Sequence, residues 1–339
     1  MWRRASVGAI ALAIAGCPKE KAVAPADAHA DADADADAHA DADAHADADA
    51  HADADAHAGA DAHADADAHA DAGADAFTSP APKTARSIGH TSVVFKIELA
   101  NGKKAAFKPA SRRGPLRYKG EIAAYRLARA LGIPNVPPAW FRTFDAKALA
   151  NAMMKEDSAA LFASEVIVKN GVVKGAIIPW IDGLEFVALE QAPLSGQWKA
   201  WLAKDGTIPP ADLDRAKEIS ALVLFDFLSA NWDRWSGGNV GVDSRTKKLL
   251  FIDNDGAFFD VPPMDGLARN EKLVKGVDKI SRSLFEAIEK LDDGALEAAL
   301  GEEMPGVPLL GPKALEGVKE RKTKLLAQVR TKRDPFVFP

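Results

Sequence analysis

The sequence of 339 residues is poor in cysteine, with Cys17 as its only one, and it has no long apolar segment free of charges. A single cysteine excludes an intrachain disulfide and any metal site built from several thiolates. The apolar stretch near the N-terminus, residues 7–16, is too short to span a bilayer as a helix. The composition therefore argues against a disulfide-stabilised scaffold and against anchoring by a transmembrane helix.

The N-terminal residues have the order of parts that is typical of a bacterial lipoprotein signal peptide. Arg3 and Arg4 form a short basic region, the apolar stretch follows, and Ile-Ala-Gly precedes Cys17. This sequence resembles the lipobox, where the signal peptidase cleaves before the cysteine and the thiol carries lipid. We predict a signal peptide over residues 1–16 and a lipid anchor at Cys17 in the bacterial cell envelope, periplasmic or at the surface. An ordinary secretory signal is the alternative.

Residues 17–83 differ in composition from the rest of the chain, and between residues 26 and 76 they are almost only Ala, Asp and His. That stretch holds 16 Asp and no Lys or Arg, and a His recurs at every sixth position from 39 to 69. Because it has no large apolar side chains and strong like-charge repulsion, we predict a disordered tether. Loose binding of zinc, nickel or copper is the alternative, although metal sites usually need converging ligands.

The charge of the chain is divided unevenly between the tether and the rest. The whole chain has a formal net charge of −6, yet residues 83–339 hold 39 Lys and Arg against 32 Asp and Glu. The predicted domain is therefore mildly basic, which suits anionic ligands. We expect no nucleic-acid partner.

The first half of the domain, residues 84–181, is predicted to be rich in strands. Apolar strand segments flank Asn-Gly pairs at 101–102 and 170–171, and such pairs are typical of hairpin turns. Between the hairpins, residues 117–132 have the periodicity of a helix and residues 136–144 are typical of a strand. The predicted order is strand, strand, helix, strand, strand, strand.

The second half, residues 182–339, is predicted to be rich in helices. Residues 209–231 begin with two prolines and continue as a long apolar stretch, which predicts a buried helix. Two short strands are expected within residues 238–253, and amphipathic helices over residues 281–300 and 312–332. A β-rich half followed by an α-rich half predicts an α+β fold with two lobes and a cleft between them.

Five polar residues fall in an order that suits phosphoryl transfer. That reaction needs a cation for the phosphates, a carboxylate for the metal and a carboxylate that orients the attacking hydroxyl. Lys108 ends the second strand, Glu121 lies early in the helix, Asp233 and Asn239 follow the buried helix, and Asp253 ends a later strand. Each alone is more often a surface, dipole or turn residue. Together, on these elements, they favour a kinase-like fold.

The segments that carry these residues resemble a known group of kinases. "LVLFDFLSANWDR" and "LLFIDNDGAF", within residues 222–259, and "AAFKP" with "YKGEIAAYRLARALG", within residues 104–132, are similar to motifs of the secretory-pathway kinases. That family includes Four-jointed and the Golgi casein kinase, and it is more distantly similar to HipA and the phosphoinositide kinases. The resemblance covers roughly residues 86–335. It implies an atypical two-lobed protein-kinase-like fold, with the lobes at 84–181 and 182–339.

The resemblance implies a role for each catalytic candidate and binding of ATP. Lys108 would contact the nucleotide phosphates, and Glu121 would pair with it. Asp233 would be the catalytic base or would orient the acceptor hydroxyl. The other nucleotide-binding candidates lie in a phosphate-covering loop and near the hinge between the lobes: Gly89, His90, Thr91, Ser92, Pro179, Trp180 and Ile181.

The resemblance also implies a site for Mg²⁺ or Mn²⁺. Asn239 and Asp253 would hold the metal, and Asp255 is a further candidate ligand. Asn239 lies six positions after the catalytic aspartate, one more than in the loop of typical protein kinases. The glycine pair at 237–238 would absorb the extra residue.

The predicted function is a metal-dependent kinase that transfers the γ-phosphoryl group of ATP to hydroxyls, on Ser or Thr of exported proteins. A kinase for a small molecule, a lipid headgroup or a sugar is a second hypothesis. A pseudokinase that binds nucleotide or a partner protein is a third, and the predicted export favours it because ATP is scarce outside the cytoplasm. A covering loop with one glycine, Gly89, is a departure from the glycine-rich loop of typical kinases.

Overall fold

The computed structural model describes residues 73–89 and 92–338. The predicted signal peptide, the lipidation site Cys17 and the tether up to residue 72 lie outside the described residues. His90 and Thr91 of the predicted covering loop also lie outside them.

The first half is built on an antiparallel sheet. In space its strands follow the order β1-β2-β3-β6-β4, with the short β5 paired to β6. Phe95, Ile97 and Leu99 are buried and alternate with partly exposed residues along β2, as expected for a strand with one face on a core. The strands are β1 (Pro82–Ser87), β2 (Phe95–Leu99), β3 (Lys104–Pro109), β4 (Trp140–Asp145), β5 (Val168–Lys169) and β6 (Val172–Pro179). The helices are α1 (Asp75–Thr78), α2 (Tyr118–Ala130), α3 (Ala146–Asn151) and α4 (Glu156–Glu165).

Both predicted hairpins form at their Asn-Gly pairs. Asn170 and Gly171 both have positive φ, 53° and 75°, and they make the two-residue turn between β5 and β6. The loop of the first hairpin has three residues, one more than the second, because the Leu99 N–H donates to the Lys103 carbonyl at 2.8 Å and closes the hairpin around residues 100–102. Gly102, with φ of 80°, supplies the left-handed residue of that three-residue loop.

The predicted order of strands and one helix is incomplete. It lacks β1, in which only Ala85 is buried, so the segment shows none of the alternation that predicts a strand. It also lacks α3 and α4, which lie between β4 and β5. Helix α3 is only six residues long and begins where the Asp145 carboxylate accepts a hydrogen bond from the Ala148 N–H at 2.8 Å.

The second half consists mainly of helices. Its helices are α5 (Leu194–Leu202), α6 (Leu213–Ser229), α7 (Met264–Lys275), α8 (Arg282–Lys290), α9 (Asp293–Leu300) and α10 (Pro312–Arg330). A three-stranded antiparallel sheet joins β7 (Leu184–Phe186), β8 (Val240–Asp243) and β9 (Leu249–Phe251). Two small two-stranded sheets pair β10 (Ile280–Ser281) with β13 (Phe336–Phe338) and β11 (Glu302–Met304) with β12 (Val307–Pro308).

The helix predicted over residues 281–300 is two helices, α8 and α9. Ser281 caps the first by accepting a hydrogen bond from the Leu284 N–H, and Asp292 caps the second by accepting one from Ala295. An aspartate N-cap within an amphipathic pattern begins a new helix, and this is the physical reason for the break. Helices α5 and α7 were not predicted from the sequence.

Two apolar cores organise the molecule. The smaller one lies under the sheet and includes Phe95, Phe107 and Ile177. The larger one surrounds α6 and also takes in the buried face of α2, through Ile122 and Leu127. Helix α2 thus lies between β3 and β4 in sequence but shares the core of the helical half, and the predicted α+β fold class is confirmed.

The outer part of α2 is held by the hairpin of β11 and β12. Arg126 donates hydrogen bonds to the carbonyls of Glu302 and Glu303, and Lys119 donates to the Pro308 carbonyl. The Tyr118 hydroxyl is hydrogen-bonded to the Glu303 side chain, and burial together with that carboxylate raises the pKa of Tyr118. These contacts fix the position of the helix that carries Glu121.

Within the described ranges, no helix has the length and apolar character that a membrane span requires.

Candidate active site

Lys108 is the centre of a group of charged side chains. It is the fifth residue of β3, it is 7% exposed, and its register partner is Ala176 in the neighbouring strand β6. The Lys108 ammonium donates hydrogen bonds to the carboxylates of Glu121 and Asp253. The Asp255 carboxylate lies 3.6 Å from the same nitrogen. The structure therefore brings together four of the residues that the sequence singled out.

The electrostatics of this group follow from its burial and its unequal charges. Burial alone would lower the pKa of Lys108, but Asp253, Glu121 and Asp255 raise it well above its ordinary value. Burial opposes ionisation of Asp253, yet the neighbouring Lys108 ammonium holds the pKa of that carboxyl below its usual range. Lys108 is accordingly a cation and Asp253 an anion at neutral pH.

Glu121 reaches Lys108 because α2 lies unusually close to the loop after β9. At Gly120, an added Cβ would lie 2.6 Å from the Asn254 carbonyl oxygen, so this position has no room for a side chain. The Asn254 N–H donates to Glu121 Oε1 at 2.9 Å, and the Asn254 amide nitrogen lies 3.4 Å from Oε2. The buried carboxylate is thus held by the lysine and by the following loop.

Asp233 lies in the loop after α6. The helix ends at Ala230, which has a left-handed backbone with φ of 51°, and Asn231 Oδ1 accepts a hydrogen bond from the Asp233 N–H at 3.1 Å. Asp233 Oδ1 accepts one from the Ser236 hydroxyl at 2.7 Å. An added Cβ at Gly256 would lie 2.8 Å from the Asp233 Cβ. The Asp233 loop therefore packs directly on the loop that follows Asp253.

Asn239 returns to this loop despite the longer spacing. Gly237 and Gly238 have φ of 103° and 77°, a conformation that favours glycine, and they supply the turn. The Asn239 amide nitrogen donates to the Asp233 carbonyl at 2.8 Å, which leaves its Oδ1 as the atom suited to a cation. The Ile252 N–H donates to the Asn239 carbonyl at 3.3 Å, so Asn239 lies beside the residue that precedes Asp253.

The oxygen donors of this region suit a hard cation, although they are few. Asp253 follows β9 in a left-handed conformation with φ of 57°, and its side chain is 34% exposed. The Asp255 carboxylate lies between two cationic side chains: its Oδ1 accepts a hydrogen bond from Arg117 at 2.5 Å, and its Oδ2 lies 3.6 Å from the Lys108 nitrogen. No cluster of three or more His, Cys, Asp or Glu ligands occurs within residues 73–89 and 92–338. Asp253 and Asn239 fit Mg²⁺ or Mn²⁺, which commonly take one or two protein ligands together with substrate phosphates.

The part of the covering loop that the structure describes, Gly89 and Ser92, joins β1 to β2. The Ile88 N–H donates to the Val94 carbonyl at 3.0 Å, and a Cβ at Gly89 would clash with the Ser92 carbonyl. A small, open pocket lies beside this loop. Its lining includes Ser92, Lys108, Arg117 and Asp255.

The predicted hinge residues lie between the sheet of the first half and β7. Pro179 ends β6 opposite Ala105, and the Trp180 N–H donates to the Lys104 carbonyl at 2.9 Å. The Trp180 ring lies beneath the Lys96 ammonium, 3.6 Å from the ring centroid. Ile181 follows and is half-buried. Pro179 and Trp180 therefore contact β2 and β3 of the first half.

Three buried residues next to the candidates were missed by the sequence analysis: Asp226, Arg234 and Asn254. Arg234 Nε donates to both Asp226 carboxylate oxygens, at 3.1 and 3.3 Å, and Arg234 also donates to Asn254 Oδ1. Burial raises the pKa of Asp226 to about 6. One signal was available, because an aspartate within the apolar run "VLFDFL" needs a buried partner.

Comparison with known proteins supports the kinase-like assignment of the fold. The chain is similar to the solved structure of the Golgi casein kinase with Mn/ADP bound, with 15% identity and a TM-score of 0.59 over 78% of this chain and 76% of that one. It is also similar to hydra Fam20 with sugar, with 17% identity and a TM-score of 0.54 over 75% of this chain and 86% of that one. No family model and no curated protein sequence matches.

These likenesses, at low sequence identity, concern the fold. The chain has a two-lobed kinase-type fold, with the antiparallel sheet in the first lobe and the helices in the second. Solved structures of secretory-pathway kinases share this fold, as the motifs around Lys108 and Asp253 predicted.

Proposed function

We propose that this protein is a metal-dependent phosphotransferase that moves the γ-phosphoryl group of ATP to a hydroxyl group, on Ser or Thr residues of exported proteins. The observation that carries the proposal is the contact of the buried Lys108 with the buried Glu121 and the partly exposed Asp253 in a kinase-type fold. Burying charged groups such as Lys108 and Glu121 costs several kcal/mol unless they are paired, so a group of this kind supports a functional site.

Each candidate then has a role that its surroundings support. Lys108 binds the phosphates, and Glu121 holds the lysine in place from α2. Asp233, which packs on the loop after Asp253, accepts the proton of the acceptor hydroxyl or orients it. Gly89 to Ser92 cover the phosphates, and residues 179–181 lie near the nucleotide at the boundary between the lobes.

Asp253 and Asn239 would hold Mg²⁺ or Mn²⁺ through their side-chain oxygens. The metal, when bound, neutralises charge on the β- and γ-phosphates. Asp255 is a further candidate ligand, and its contacts with Arg117 and Lys108 support a second role in holding those cations. Because the Golgi casein kinase has been solved with Mn and ADP, both Mg²⁺ and Mn²⁺ should be tested.

The proposal extends to the cellular location. A signal peptide over residues 1–16 would direct export and be removed. Lipid on Cys17, at the start of the tether predicted over residues 17–83, would then hold the two lobes, 84–181 and 182–339, at a membrane of the bacterial envelope; the last part of that segment forms α1 and the start of β1. Growth with labelled palmitate should label the native chain and leave a Cys17→Ala variant unlabelled. Equal labelling of both chains would refute the lipid anchor without affecting the phosphotransferase proposal.

The activity is tested by incubating the purified chain with γ-labelled ATP, a generic protein acceptor and Mg²⁺ or Mn²⁺. We expect label on hydroxyl side chains and a loss of about 1,000-fold in rate for Asp233→Asn and for Asp253→Asn. Asp214→Asn is the matched control, because Asp214 is an exposed carboxylate in the first turn of α6.

The outcomes separate the alternatives. Label found only on an added sugar, lipid or other small molecule would move the proposal to that substrate class. Binding of ATP without transfer would identify a pseudokinase. A chain that neither binds ATP nor transfers label would overturn the proposal.

A further inference from the structure

A continuous chain of buried polar contacts joins the elements of the candidate active site. It runs from Asp226 on α6 through Arg234 and Asn254 to Glu121 on α2, and from there to Lys108 on β3. None of the five side chains belongs to a residue that is more than 7% exposed. A buried polar network of this kind is costly when incomplete and specifies one arrangement when every member is paired.

Asn254 is the link between α2 and the second lobe. Its N–H donates to Glu121 Oε1, and its side-chain nitrogen donates to the Phe251 carbonyl at 3.0 Å while lying 3.4 Å from Glu121 Oε2. Its side-chain oxygen accepts a hydrogen bond from Arg234. The side chain therefore meets an anion with its nitrogen and a cation with its oxygen.

This pairing is specific for a short carboxamide. A carboxylate at position 254 would be repelled by Glu121, and a cation there would be repelled by Arg234. An apolar side chain would leave buried polar groups of both neighbours without this partner. Asparagine has a donor and an acceptor at the required reach, and it directly follows the metal candidate Asp253.

Arg234 is the link within the second lobe. Its side chain is fully buried, and it donates to the Asn239 carbonyl at 2.6 Å and to the Ile252 carbonyl. Arg234 directly follows Asp233, and Ile252 directly precedes Asp253. These hydrogen bonds therefore connect the Asp233 loop to Asn239 and to the end of the segment that carries Asp253. The Asp226 carboxylate balances its charge.

We propose that Asn254 and Arg234 are positioning residues that couple the placement of α2 to the loops carrying Asp233 and Asp253. Neither residue acts on the reacting groups in this assignment. Asn254 contacts Glu121 of α2, and Arg234 contacts Asn254 together with the loops that carry Asn239 and Asp253. A displacement of Glu121 would therefore displace both loops. The inference rests on the proposed phosphotransferase function for its catalytic consequence, but the coupling itself is a property of the fold.

The test compares Asn254→Asp with Asn135→Ala in the full chain. Asn254→Asp keeps the size of the side chain and its contact with Arg234 but places a carboxylate against Glu121. Asn135 is 4% exposed and donates to Glu218 and to the Leu249 carbonyl, so it is a buried asparagine that contacts β9 without a hydrogen bond to any of the five side chains of this network. We expect kcat to fall about 100-fold in Asn254→Asp, with a smaller rise in the dissociation constant for ATP, because misplacing catalytic groups by a fraction of an ångström has this effect. Native-like kcat in Asn254→Asp, or an equal loss in Asn135→Ala, would overturn the proposal.

Hydrogen exchange supplies a readout that does not depend on activity. We expect the amides of α2 to exchange about tenfold faster in Asn254→Asp than in the native chain, and unchanged in Asn135→Ala. Adding Glu121→Gln to Asn254→Asp should accelerate exchange by less than the two separate effects combined, since both changes alter the contact between residue 254 and Glu121, while Glu121→Gln also weakens the pairing with Lys108. If the native chain proves inactive, the phosphotransferase proposal fails while this comparison still decides the coupling. Unchanged exchange in Asn254→Asp, or fully additive effects of the two substitutions, would refute it.

Discussion

At the scale of single residues, Lys108 is surrounded by more anions than it can neutralise. Glu121, Asp253 and Asp255 face it, and Arg117 contributes the other cation close to Asp255. Removal of Lys108 would leave buried carboxylates next to one another. The side chain proposed to bind phosphate is thus also needed to keep the unliganded fold stable.

Lys108→Met should therefore destabilise the folded chain as well as abolish transfer. Methionine fills a similar volume but leaves Glu121 and Asp253 without their cation, and we expect a loss of about 3–5 kcal/mol in the free energy of unfolding. Urea denaturation measures it, with the exposed Lys103→Met as the matched control. An equal midpoint for both variants would contradict this view of the charge cluster.

Asp226 predicts a pH dependence of stability. Burial raises its pKa in the folded chain from 3.8 to about 6, so the folded state binds this proton more tightly than the unfolded state. The contribution of this group to stability is full below its unfolded pKa and is lost as the pH rises through about 6. The expected decrease is about 3 kcal/mol between pH 3 and pH 7.

The comparison with Asp226→Asn isolates that contribution. The difference in unfolding free energy between the native chain and the variant should change with pH between pH 4 and pH 6 and be constant on either side. Guanidinium titrations across this range provide the measurement. A difference that stays the same at every pH would show that Asp226 does not change its protonation there.

The individual candidates and the pairing of Lys108 with Glu121 were predictable at this scale, but the buried residues that hold them, Asp226, Arg234 and Asn254, were not. Lys108, Glu121 and Asp253 could be singled out because each stands at the end or the start of an apolar element in the order that phosphoryl transfer needs. The contact between Asn254 and Glu121 joins positions 133 residues apart, and nothing in local pattern encodes it. Asp226 alone carried a local signal, a charge inside an apolar helix.

At the scale of elements, the close approach of α2 to the loop after β9 depends on Gly120. We predict that Gly120→Ala pushes α2 away from the Asn254 carbonyl, with a loss of about 1–3 kcal/mol in stability and a clear loss of transfer activity. Thermal denaturation and the ATP assay together measure both effects.

Gly196→Ala in α5 is the matched control for this substitution. An added Cβ at Gly196 meets no atom within 4 Å, so alanine there should stabilise the helix by up to about 1 kcal/mol. A Gly120→Ala chain as stable and active as Gly196→Ala would show that α2 can shift without consequence.

Elements with strong periodicity were predictable, and weakly amphipathic ones were not. The hairpins and α6 carry either a turn pair or a long apolar stretch, and each was found. Strand β1 buries only Ala85 and owes its conformation to pairing with β2. Its existence depends on a neighbouring strand, which local pattern does not contain.

At the scale of the whole molecule, the candidate ligands come from both lobes. Lys108 lies on the sheet and Asp253 follows β9, so a nucleotide with its metal would stabilise both lobes together. At about 100 times the dissociation constant, ADP with Mn²⁺ should add about 2.7 kcal/mol and raise Tm by about 5–10 °C. In Asp253→Asn, the part of the shift that requires Mn²⁺ should disappear. A shift that is unchanged in this variant would place the metal elsewhere.

The burial of Arg234 against Asp226 has a consequence for control of the protein. In many kinases a phosphate added after folding supplies the counter-charge that orders an activation segment. Here the counter-charge is an aspartate already present in α6, and the sequence from 247 to 280 contains no Ser, Thr or Tyr that a phosphate could be attached to. For the proposed phosphotransferase, Arg234 therefore has its counter-charge from Asp226 without an added phosphate.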